Sequence, residues 1–528
     1  MNILNTILSV IFLALAVRTF LWHLQNWQLR EYRWDRIKAY FSTTEGKISL
    51  FNLWFFRGIL PRPKFSGRII LITLITIFLL ITDYFTDHYF AKICESTAWW
   101  CKISRDFANL EFFWKILIYE RFLWAFVGMA VFISAIPVNF KKRKLYAKAR
   151  EIIQSSKSGL GISSKALSPD LKSSEIKIIG ITGSYGKSST RSILTHLLRQ
   201  EFGVDSVLTN PENHNTEVSI ARLILKSREF FENHKSGLGA SSKSLSPGLV
   251  LKKFLIIEIG AYRKGEIATV CDFLQPEIGI LTGINNQHIA LFGSQKNIVE
   301  GKFELAESCS EKVFFNADNR FLSQIFADKK IQAVPIGISR DSAKILKSEI
   351  DQTIFQLYGK EFVLPWGGEF FVDNAILAIE TARELGCKIE NLAKNLKTLP
   401  PLEKALNIEK SANGGFILKD LYSQNPDGVL VAIEHLGKFR GKLIFVGTPL
   451  LELGKDSEKI HHEIFVKLAE IKAEVFWLKD EFTELGKEIC GKRFHGQNPA
   501  KLAKIRKNLK KGDVILFTGR LDKDVLKG

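Results

Sequence analysis

The pattern of apolar and polar positions divides this chain at about residue 140. Three long apolar runs precede that point, at about residues 3–22, 69–88 and 116–138, and each approaches the length that a membrane helix needs. Beyond it, short apolar runs alternate with stretches in which apolar residues recur at helical spacing. That alternation predicts strands and helices in turn. We therefore expect a helical transmembrane region over residues 1–150, followed by an α/β part.

Two of the apolar runs have an alternative interpretation. The first, Ile3 to Trp22, also resembles a signal peptide, but Trp22, His23 and Gln25 stand where small residues would mark a cleavage site. We interpret it as a membrane helix. The third, which begins near Ile116, is shorter in its apolar part, and a buried soluble helix is the alternative for it.

The distribution of charge orients the predicted spans. The chain has 74 Lys and Arg against 55 Asp and Glu, a formal charge of +19. Basic residues are frequent from Arg30 to Arg68 and from Lys141 to Arg150, and sparse between the second and third runs. The positive-inside rule places the two basic segments, and everything after residue 140, in the cytoplasm. This pattern fits anionic lipid better than nucleic acid, and no motif indicates a nucleic-acid partner.

The cysteines and two similar polar segments suggest no chemistry. No zinc-like spacing occurs; Cys94 and Cys101 suit a disulfide if their loop lies outside the cytoplasm, and the other four fit buried apolar positions. Two Ser-, Gly- and Lys-rich segments, at 157–171 and 235–249, are nearly identical. We interpret them as flexible surface segments, the first within a linker at 151–175 and the second an insertion.

A glycine-rich turn organises the α/β part. It reads Gly180-Ile-Thr-Gly-Ser-Tyr-Gly-Lys-Ser-Ser-Thr190, after a predicted strand at Ile176 to Ile181 and before a predicted helix at Ser189 to Phe202. Such a turn points backbone N–H groups and the positive end of a helix at a phosphate. Lys187 is placed to reach the terminal phosphates, and the Ser188 hydroxyl to bind magnesium. A plain Gly/Ser turn with a solvated lysine is the alternative, because an isoleucine replaces the first glycine of the common pattern.

Three further residues downstream are candidates for the same site. Glu258 ends a predicted strand, where a carboxylate beside a phosphate loop suits magnesium. His288 follows the next predicted strand, and Lys302 lies in a predicted helix between Glu300 and Glu304. Taken singly, each has an ordinary alternative: a structural or solvated role for Glu258 and His288, and a helix ion pair for Lys302.

The order and spacing of these residues resemble one family. Gly180 to Ser189 resembles the G-x-T-G-[ST]-x-G-K-[ST]-[ST] loop of the Mur ligases, which form amide bonds with ATP in peptidoglycan synthesis. Ile257 to Ile267 is similar to the E-x-G-x4-G-E-I segment of the branch that adds D-alanyl-D-alanine, the MurF-type ligases. His288 to Gly293 and Lys302 to Glu304 resemble that branch's metal-binding histidine and carbamylated lysine.

The resemblance covers roughly residues 172–528 and implies a role for each matching position. It implies a P-loop central ATP-binding domain at 176–400 and a Rossmann-like C-terminal domain at 401–528. The implied catalytic residues are Lys187, Glu258, His288 and Lys302. The implied nucleotide-binding residues are Gly183, Ser184, Gly186, Lys187, Ser188, Ser189, Asn316, Asp318, Asn374, Lys404 and Asp420. The implied substrate contacts are Asn215, Tyr422 and Asn425.

The implied cofactors are ATP and two magnesium ions. One ion is expected at Ser188 and Glu258, and the second at His288 and Lys302. A lysine ammonium does not bind a cation, so the second site requires carbamylation of Lys302. The carboxylate substrate would be activated as an acyl phosphate before an amine attacks it.

The chain departs from the family pattern in several places. Thr282-Gly283 stands where the family has Thr-Asn, and Glu403-Lys404 where it has Gly-Arg. The segment Lys419 to Pro426 retains only part of the family's D-D-S-Y-N-A-N-P, with Ser423 and Gln424 among the changes. A lysine at 404 keeps a positive charge but loses the planar fork of arginine.

The expected function is a ligase at the bacterial cytoplasmic membrane, multi-pass, with its catalytic domains in the cytosol. We expect no counterpart of the family's N-terminal UDP-sugar domain and expect the membrane region to replace it. The expected partners are a peptidoglycan precursor, an amino acid or dipeptide, the bilayer and membrane cell-wall enzymes. Two alternatives remain: a polyglutamate- or cyanophycin-type amide ligase, and a catalytically weak ATP-binding scaffold for cell-wall synthesis.

Overall fold

The structure of the chain is a computed structural model. The described residues are 3–30, 32–41, 63–64, 66–93, 99, 102–103, 106, 112–157, 176–232, 252–349, 351–401, 407–411, 413–420, 426–450, 453, 457–519 and 521. Several predicted features lie outside them: most of the linker, the 235–249 insertion, Cys94, Cys101, Lys404, Tyr422 and Asn425. The chain divides into two compact units, residues 1–144 and 145–528.

The first unit is helical. Its helices are α1 (Ile3–Leu29), α2 (Trp34–Phe41), α3 (Gly67–Ile93) and the greater part of α4 (Phe112–Lys157). The three predicted apolar spans coincide with α1, α3 and the first half of α4. Within the part of the chain that the structure describes, one helical segment, 125–157, is long and apolar enough to cross a membrane by length and composition. Membrane crossing by the three spans therefore stays a prediction.

The second unit is built on a parallel sheet of six strands. The strands are β1 (Ile176–Thr182), β2 (Val207–Thr209), β3 (Lys253–Glu258), β4 (Ile278–Leu281), β5 (Lys312–Asn316) and β6 (Val334–Ile338), in the order β2-β3-β1-β4-β5-β6. All neighbouring pairs are parallel. The chain adds strands on one side of β1 and then on the other, so the carboxyl end of β1 lies at the reversal point where α/β sheets form a crevice.

Helices cover both faces of this sheet. They are α5 (Lys187–Phe202), α6 (Glu217–Lys226), α7 (Arg228–Glu232), α8 (Glu266–Leu274), α9 (Ile289–Phe292), α10 (Gln295–Ser308), α11 (Arg320–Asp328), α12 (Phe370–Glu384) and α13 (Ile389–Leu396). Ile179 and Ile181 of β1 pack into a core with α5 and α12, while Ile178 packs into the core on the opposite face. Burial on both faces explains why the strands are continuous apolar runs in the sequence.

A small antiparallel sheet follows β6. Its strands are β7 (Ala343–Ser348), β8 (Thr353–Leu357) and β9 (Lys360–Leu364), joined in chain order. The side chains of Phe355 and Phe362 stack with ring centroids 5.3 Å apart and belong to the core that also holds α12. The sequence analysis did not predict this sheet.

A second α/β layer forms the C-terminal part. Its strands are β10 (Asn407–Lys410), β11 (Phe416–Asp420), β12 (Leu443–Gly447), β13 (Glu474–Trp477) and β14 (Val514–Thr518), in the order β10-β11-β14-β12-β13. Only the edge strand β10 is antiparallel to its neighbour. The helices are α14 (Pro426–Gly437), α15 (Ser457–Glu470), α16 (Thr483–Cys490) and α17 (Pro499–Lys507). The mixed α/β class predicted from the sequence is confirmed.

Candidate active site at the phosphate loop

Two glycines let the loop after β1 turn tightly against its neighbours. Gly183 has φ 156° and Gly186 has φ 77°, conformations that side chains rarely adopt. A Cβ on Gly183 would lie 2.1 Å from Thr282 Oγ1, and one on Gly186 would lie 2.2 Å from Asn374 Oδ1. Gly186 is the N-cap of α5 and has no side chain to cap it. An anion can therefore take the capping position, as in phosphate-binding loops.

Two lysines meet at the same backbone carbonyl of this loop. Lys187 Nζ donates to the Gly183 oxygen at 2.8 Å, and Lys302 Nζ, from α10, donates to it at 3.0 Å. Burial lowers the pKa of Lys187, against the opposing effect of the Glu258 carboxylate. Burial, and then the charge of Lys187, places the pKa of Lys302 well below its ordinary value. Two lysine side chains therefore converge on one oxygen of the phosphate loop.

The ordinary alternative for Lys302, a helix ion pair, is not what the structure contains. Glu300 pairs instead with Lys264, whose Nζ lies 2.5 Å from its Oε2. Glu304 accepts from the backbone N–H groups of Gly265 at 2.6 Å and Ala268 at 2.9 Å, and so caps the first turn of α8. Lys302 itself is 2% exposed and points at the phosphate loop.

The carboxylate of Glu258 lies next to the start of α5. Ser188 Oγ donates to its Oε2 at 2.9 Å, and Asn215 Nδ2 donates to its Oε1 at 3.1 Å. Arg191 Nε lies 3.7 Å from the same Oε2, and both side chains are almost fully buried. The structure therefore brings together the predicted residues Lys187, Ser188, Glu258, Lys302 and Asn215.

Two residues that support Glu258 were not singled out from the sequence. Asn210 makes a reciprocal pair with the backbone of Glu258: its Nδ2 donates to the carbonyl at 3.0 Å, and its Oδ1 accepts from the N–H at 2.9 Å. Arg191 in turn donates to the Asn210 carbonyl. Both residues are 5% exposed or less. Asn210 lies in a polar stretch of the sequence, and its partner Glu258 is 48 residues away along the chain.

His288 lies on the loop after β4, at the N-cap of α9, in the left-handed conformation with φ 62°. Its ring contacts that of Tyr262 edge-on, with centroids 4.7 Å apart. Tyr262 belongs to the loop after β3. Its backbone N–H donates to the Glu266 carboxylate at 2.7 Å, and this hydrogen bond holds the loop in place. His288 is thus placed against the loop that follows Glu258.

The other predicted nucleotide contacts line the neighbouring loops. Asn316 Oδ1 accepts from the Asp318 N–H at 2.9 Å, and the Asp318 carboxylate accepts from Ser339 Oγ at 2.8 Å. Asn374, in the second turn of α12, abuts Gly186. Ser184 Oγ accepts from the Asn285 N–H at 3.2 Å, and Ser189 is buried in α5.

The C-terminal candidates lie apart from this cluster in the chain's other large sheet. Asp420 is buried at the end of β11, opposite Thr518 of β14. His461, in α15, accepts from the Leu450 N–H at 2.9 Å and contacts the Ser457 carbonyl at 2.6 Å. Its ring nitrogens are therefore engaged by backbone. Among the described residues, no group of three or more His, Cys, Asp and Glu could hold a metal ion.

Residues 181–382 match the family model described as the Mur ligase middle domain. This stretch of the chain is therefore similar to the middle domain of the Mur ligases. The match contains the phosphate loop, Glu258, His288, Lys302 and Asn374, and so coincides with the site described above.

Individual relatives show how far the similarity extends. The chain is 26% identical over 318 residues to the UDP-N-acetylmuramoyl-tripeptide–D-alanyl-D-alanine ligase of Mycobacterium bovis, covering 57% of each protein. Over 351 residues it is 26% identical to the ligase of that name from Synechocystis, covering 65% of this chain and 71% of the relative. The chain thus spans little more than half the length of the first of these relatives.

A solved structure shares the fold. The structure of MurF from Acinetobacter baumannii matches with a TM-score of 0.59 at 20% identity, covering 73% of this chain and 80% of that one. At this identity the likeness concerns the fold alone. It agrees with the parallel sheet and the C-terminal α/β layer found here.

Proposed function

We propose that this protein is an ADP-forming acid–amino-acid ligase. It would activate a carboxylate with ATP as an acyl phosphate and join the acyl group to an amine. The nearest activity is the addition of D-alanyl-D-alanine to a peptidoglycan precursor, the reaction in the names of the relatives. The proposal also covers a ligase of the same type that uses another amino acid as the acceptor.

One observation carries this proposal. Lys302 is fully buried beside Lys187, and both Nζ atoms donate to the Gly183 carbonyl at the turn of the phosphate loop. A loop that only binds and hydrolyses nucleotide needs one lysine at the phosphates. A second lysine, directed into the loop from α10, supports a site with one functional group more than nucleotide hydrolysis needs, as the activation of a carboxylate would require.

The residues at the start of α5 fit a magnesium ion. The Ser188 hydroxyl and the Glu258 carboxylate lie 2.9 Å apart, and magnesium prefers oxygen ligands of these kinds together with phosphate oxygens. When bound, magnesium would neutralise charge on the phosphates. Asn215 would orient the carboxylate through its 3.1 Å hydrogen bond, and Lys187 would hold the terminal phosphate.

Lys302 as an amine does not fit a second magnesium ion. The low pKa of this buried side chain, caused by burial and by the neighbouring Lys187, favours the neutral amine that carbon dioxide can carbamylate. We propose that carbamylation converts Lys302 to an anionic oxygen ligand, which would share a second magnesium ion with His288.

The membrane region is part of the proposal. We propose that helices α1, α3 and α4 anchor the enzyme in the bacterial cytoplasmic membrane, with the ligase domains in the cytosol, and that its acyl donor is lipid-linked or delivered by a membrane partner. The apolar faces of α3 support this: Leu74, Phe78 and Phe85 are each at least 60% exposed. Such side chains suit lipid rather than water.

The test measures ADP release by the full-length protein in detergent. UDP-muramoyl-tripeptide and its polyprenyl-linked form are offered as donors, with D-alanyl-D-alanine as acceptor. We expect release to require both substrates, to be faster with the lipid-linked donor, and to be lost in Lys187→Ala and Lys302→Ala. ADP release that is unchanged in both variants would overturn the ligase proposal. Equal rates with the two donors would overturn only the membrane-substrate part.

A further inference from the structure

The side chain at the variable position of the phosphate loop, Tyr185, packs directly on a glycine. A Cβ on Gly283 would lie 2.3 Å from Tyr185 Cζ and 2.5 Å from its hydroxyl oxygen. These separations are far below any real contact, so the ring and a side chain at 283 exclude each other. Gly283 is not among the glycines with positive φ, and its backbone would therefore accept other residues. The Tyr185 ring is the structural reason for the glycine that departs from the family pattern.

The hydroxyl end of Tyr185 is also held. Asn319 Nδ2 donates to the Tyr185 hydroxyl oxygen at 3.2 Å and to the Ile284 carbonyl at 2.9 Å. Asn319 Oδ1 caps α11 by accepting from the Leu322 N–H at 3.2 Å. Because the helix cap fixes Asn319, it provides a rigid point to which both the ring and the loop after β4 are attached.

Main-chain hydrogen bonds complete the connection between the two loops. The Ser184 N–H donates to the Gly283 carbonyl at 2.6 Å, and the Asn285 N–H donates to Ser184 Oγ at 3.2 Å. Thr282 Oγ1 donates to the Tyr185 carbonyl. The phosphate loop and the loop that leads to His288 therefore move together, with the Tyr185 ring filling the space between them.

We infer that Tyr185 is a positioning residue that keeps the phosphate loop in place against the loop that carries His288. The inference rests on the proposed function and adds to it a determinant of nucleotide binding. The lysine amines converge on the Gly183 carbonyl, two residues before Tyr185. A displaced ring would shift that carbonyl and the N–H groups at the start of α5. Binding of the ATP phosphates would therefore be weaker.

The test uses a reciprocal pair of substitutions in the full-length protein. Gly283→Asn introduces a side chain where the ring lies, and Tyr185→Ser removes the ring. Dissociation constants for adenylyl imidodiphosphate with magnesium are measured by titration calorimetry, and thermal midpoints confirm folding. We expect Gly283→Asn to weaken binding about tenfold, and the double variant Tyr185→Ser/Gly283→Asn to recover most of that loss, because contacting residues couple.

Two further variants separate positioning from general damage. Tyr185→Phe keeps the ring and removes the hydroxyl that accepts from Asn319, so we expect about threefold weaker binding. Tyr358→Phe, at an exposed tyrosine, should change nothing. In steady-state assays the KM for ATP should rise in Gly283→Asn, while the KM for D-alanyl-D-alanine stays constant.

The outcomes distinguish this inference from the proposed function. Unchanged nucleotide affinity in Gly283→Asn, or a double variant as weak as the single one, would overturn the positioning role while the ligase proposal stands. If the unaltered protein binds no nucleotide, or if Lys187→Ala binds it equally well, the ATP site itself is wrong and both fall.

Discussion

A buried histidine in the C-terminal layer gives a prediction about stability and pH. His435, in α14, is 4% exposed, and neither ring nitrogen has a hydrogen-bond partner among the residues that the structure describes. Its ring lies edge-on to Phe439, with centroids 5.3 Å apart, and to Phe370 at 6.5 Å. Burial, and then the nearby charge of Lys438, lowers the pKa of His435 to about 4 from 6.5. We therefore expect His435→Phe to stabilise the protein.

The magnitude follows from the unsatisfied groups and from proton linkage. At neutral pH, removing a buried donor and acceptor that lack partners should raise the free energy of unfolding by about 1–3 kcal/mol. Between pH 6.5 and about 4, the unfolded chain binds a proton at His435 and the folded chain does not. The unaltered protein therefore loses stability as the pH falls, by at most about 3 kcal/mol. The His435→Phe variant does not show this loss of stability, because it has no imidazole to protonate in the unfolded chain.

Thermal unfolding of the full-length protein in detergent, followed by circular dichroism, tests this. The midpoint of His435→Phe should exceed that of the unaltered protein at about pH 7, and the difference should widen at about pH 4.5. His462→Phe, on the exposed side of α15, is the control and should leave the midpoint within experimental scatter at both pH values. A midpoint that falls in His435→Phe, or a difference that does not depend on pH, would refute the assignment of a neutral, unsatisfied histidine.

Two further predictions concern the phosphate-loop cluster. Lys302→Met removes a buried amine close to Lys187 and should raise the free energy of unfolding by about 1–3 kcal/mol while abolishing acceptor-dependent ADP release. The control is Lys296→Met, on the exposed side of the same helix with 80% of its side chain accessible, which should change neither the free energy of unfolding nor ADP release. A Lys302→Met protein that is less stable than the unaltered one would contradict the prediction. Glu258→Gln should raise the magnesium concentration needed for half-maximal ADP release at least about tenfold, since a ligand charge is lost. An unchanged magnesium requirement, measured by titrating the metal at constant ATP, would remove Glu258 from the metal site.

Local features of the site could be predicted from the sequence because they depend on near neighbours. The strand Ile176–Thr182, the helix Lys187–Phe202 and the glycines between them follow from periodicity and turn chemistry within about twenty residues. The apolar runs at 415–418, 442–446, 474–478 and 513–517 likewise predict strands, and the structure contains β11 to β14 at these positions. The strands β7 to β9 were missed, because short amphipathic runs after a parallel sheet give a weak local signal.

The partners of the site residues could not be predicted in the same way. Asn210 holds the backbone of Glu258 across 48 residues, and Lys302 reaches Gly183 across 119. Sequence spacing alone left an ion pair between Lys302 and its helix neighbours as the alternative, whereas Glu300 and Glu304 are engaged by Lys264 and the start of α8. Which basic group pairs with a given carboxylate is decided by how the helices and loops pack against one another.

The sequence by itself determined the class of the second unit and the phosphate loop, and it carried the resemblance to the Mur ligases. It also predicted apolar helices in the first unit. The tertiary structure decided which polar groups meet. It joined two lysines at one carbonyl, and it showed that the unexpected glycine at 283 accommodates the ring of Tyr185. The reason is physical: turn and strand preferences act along the chain, whereas steric exclusion and desolvation act between segments that only the fold brings together.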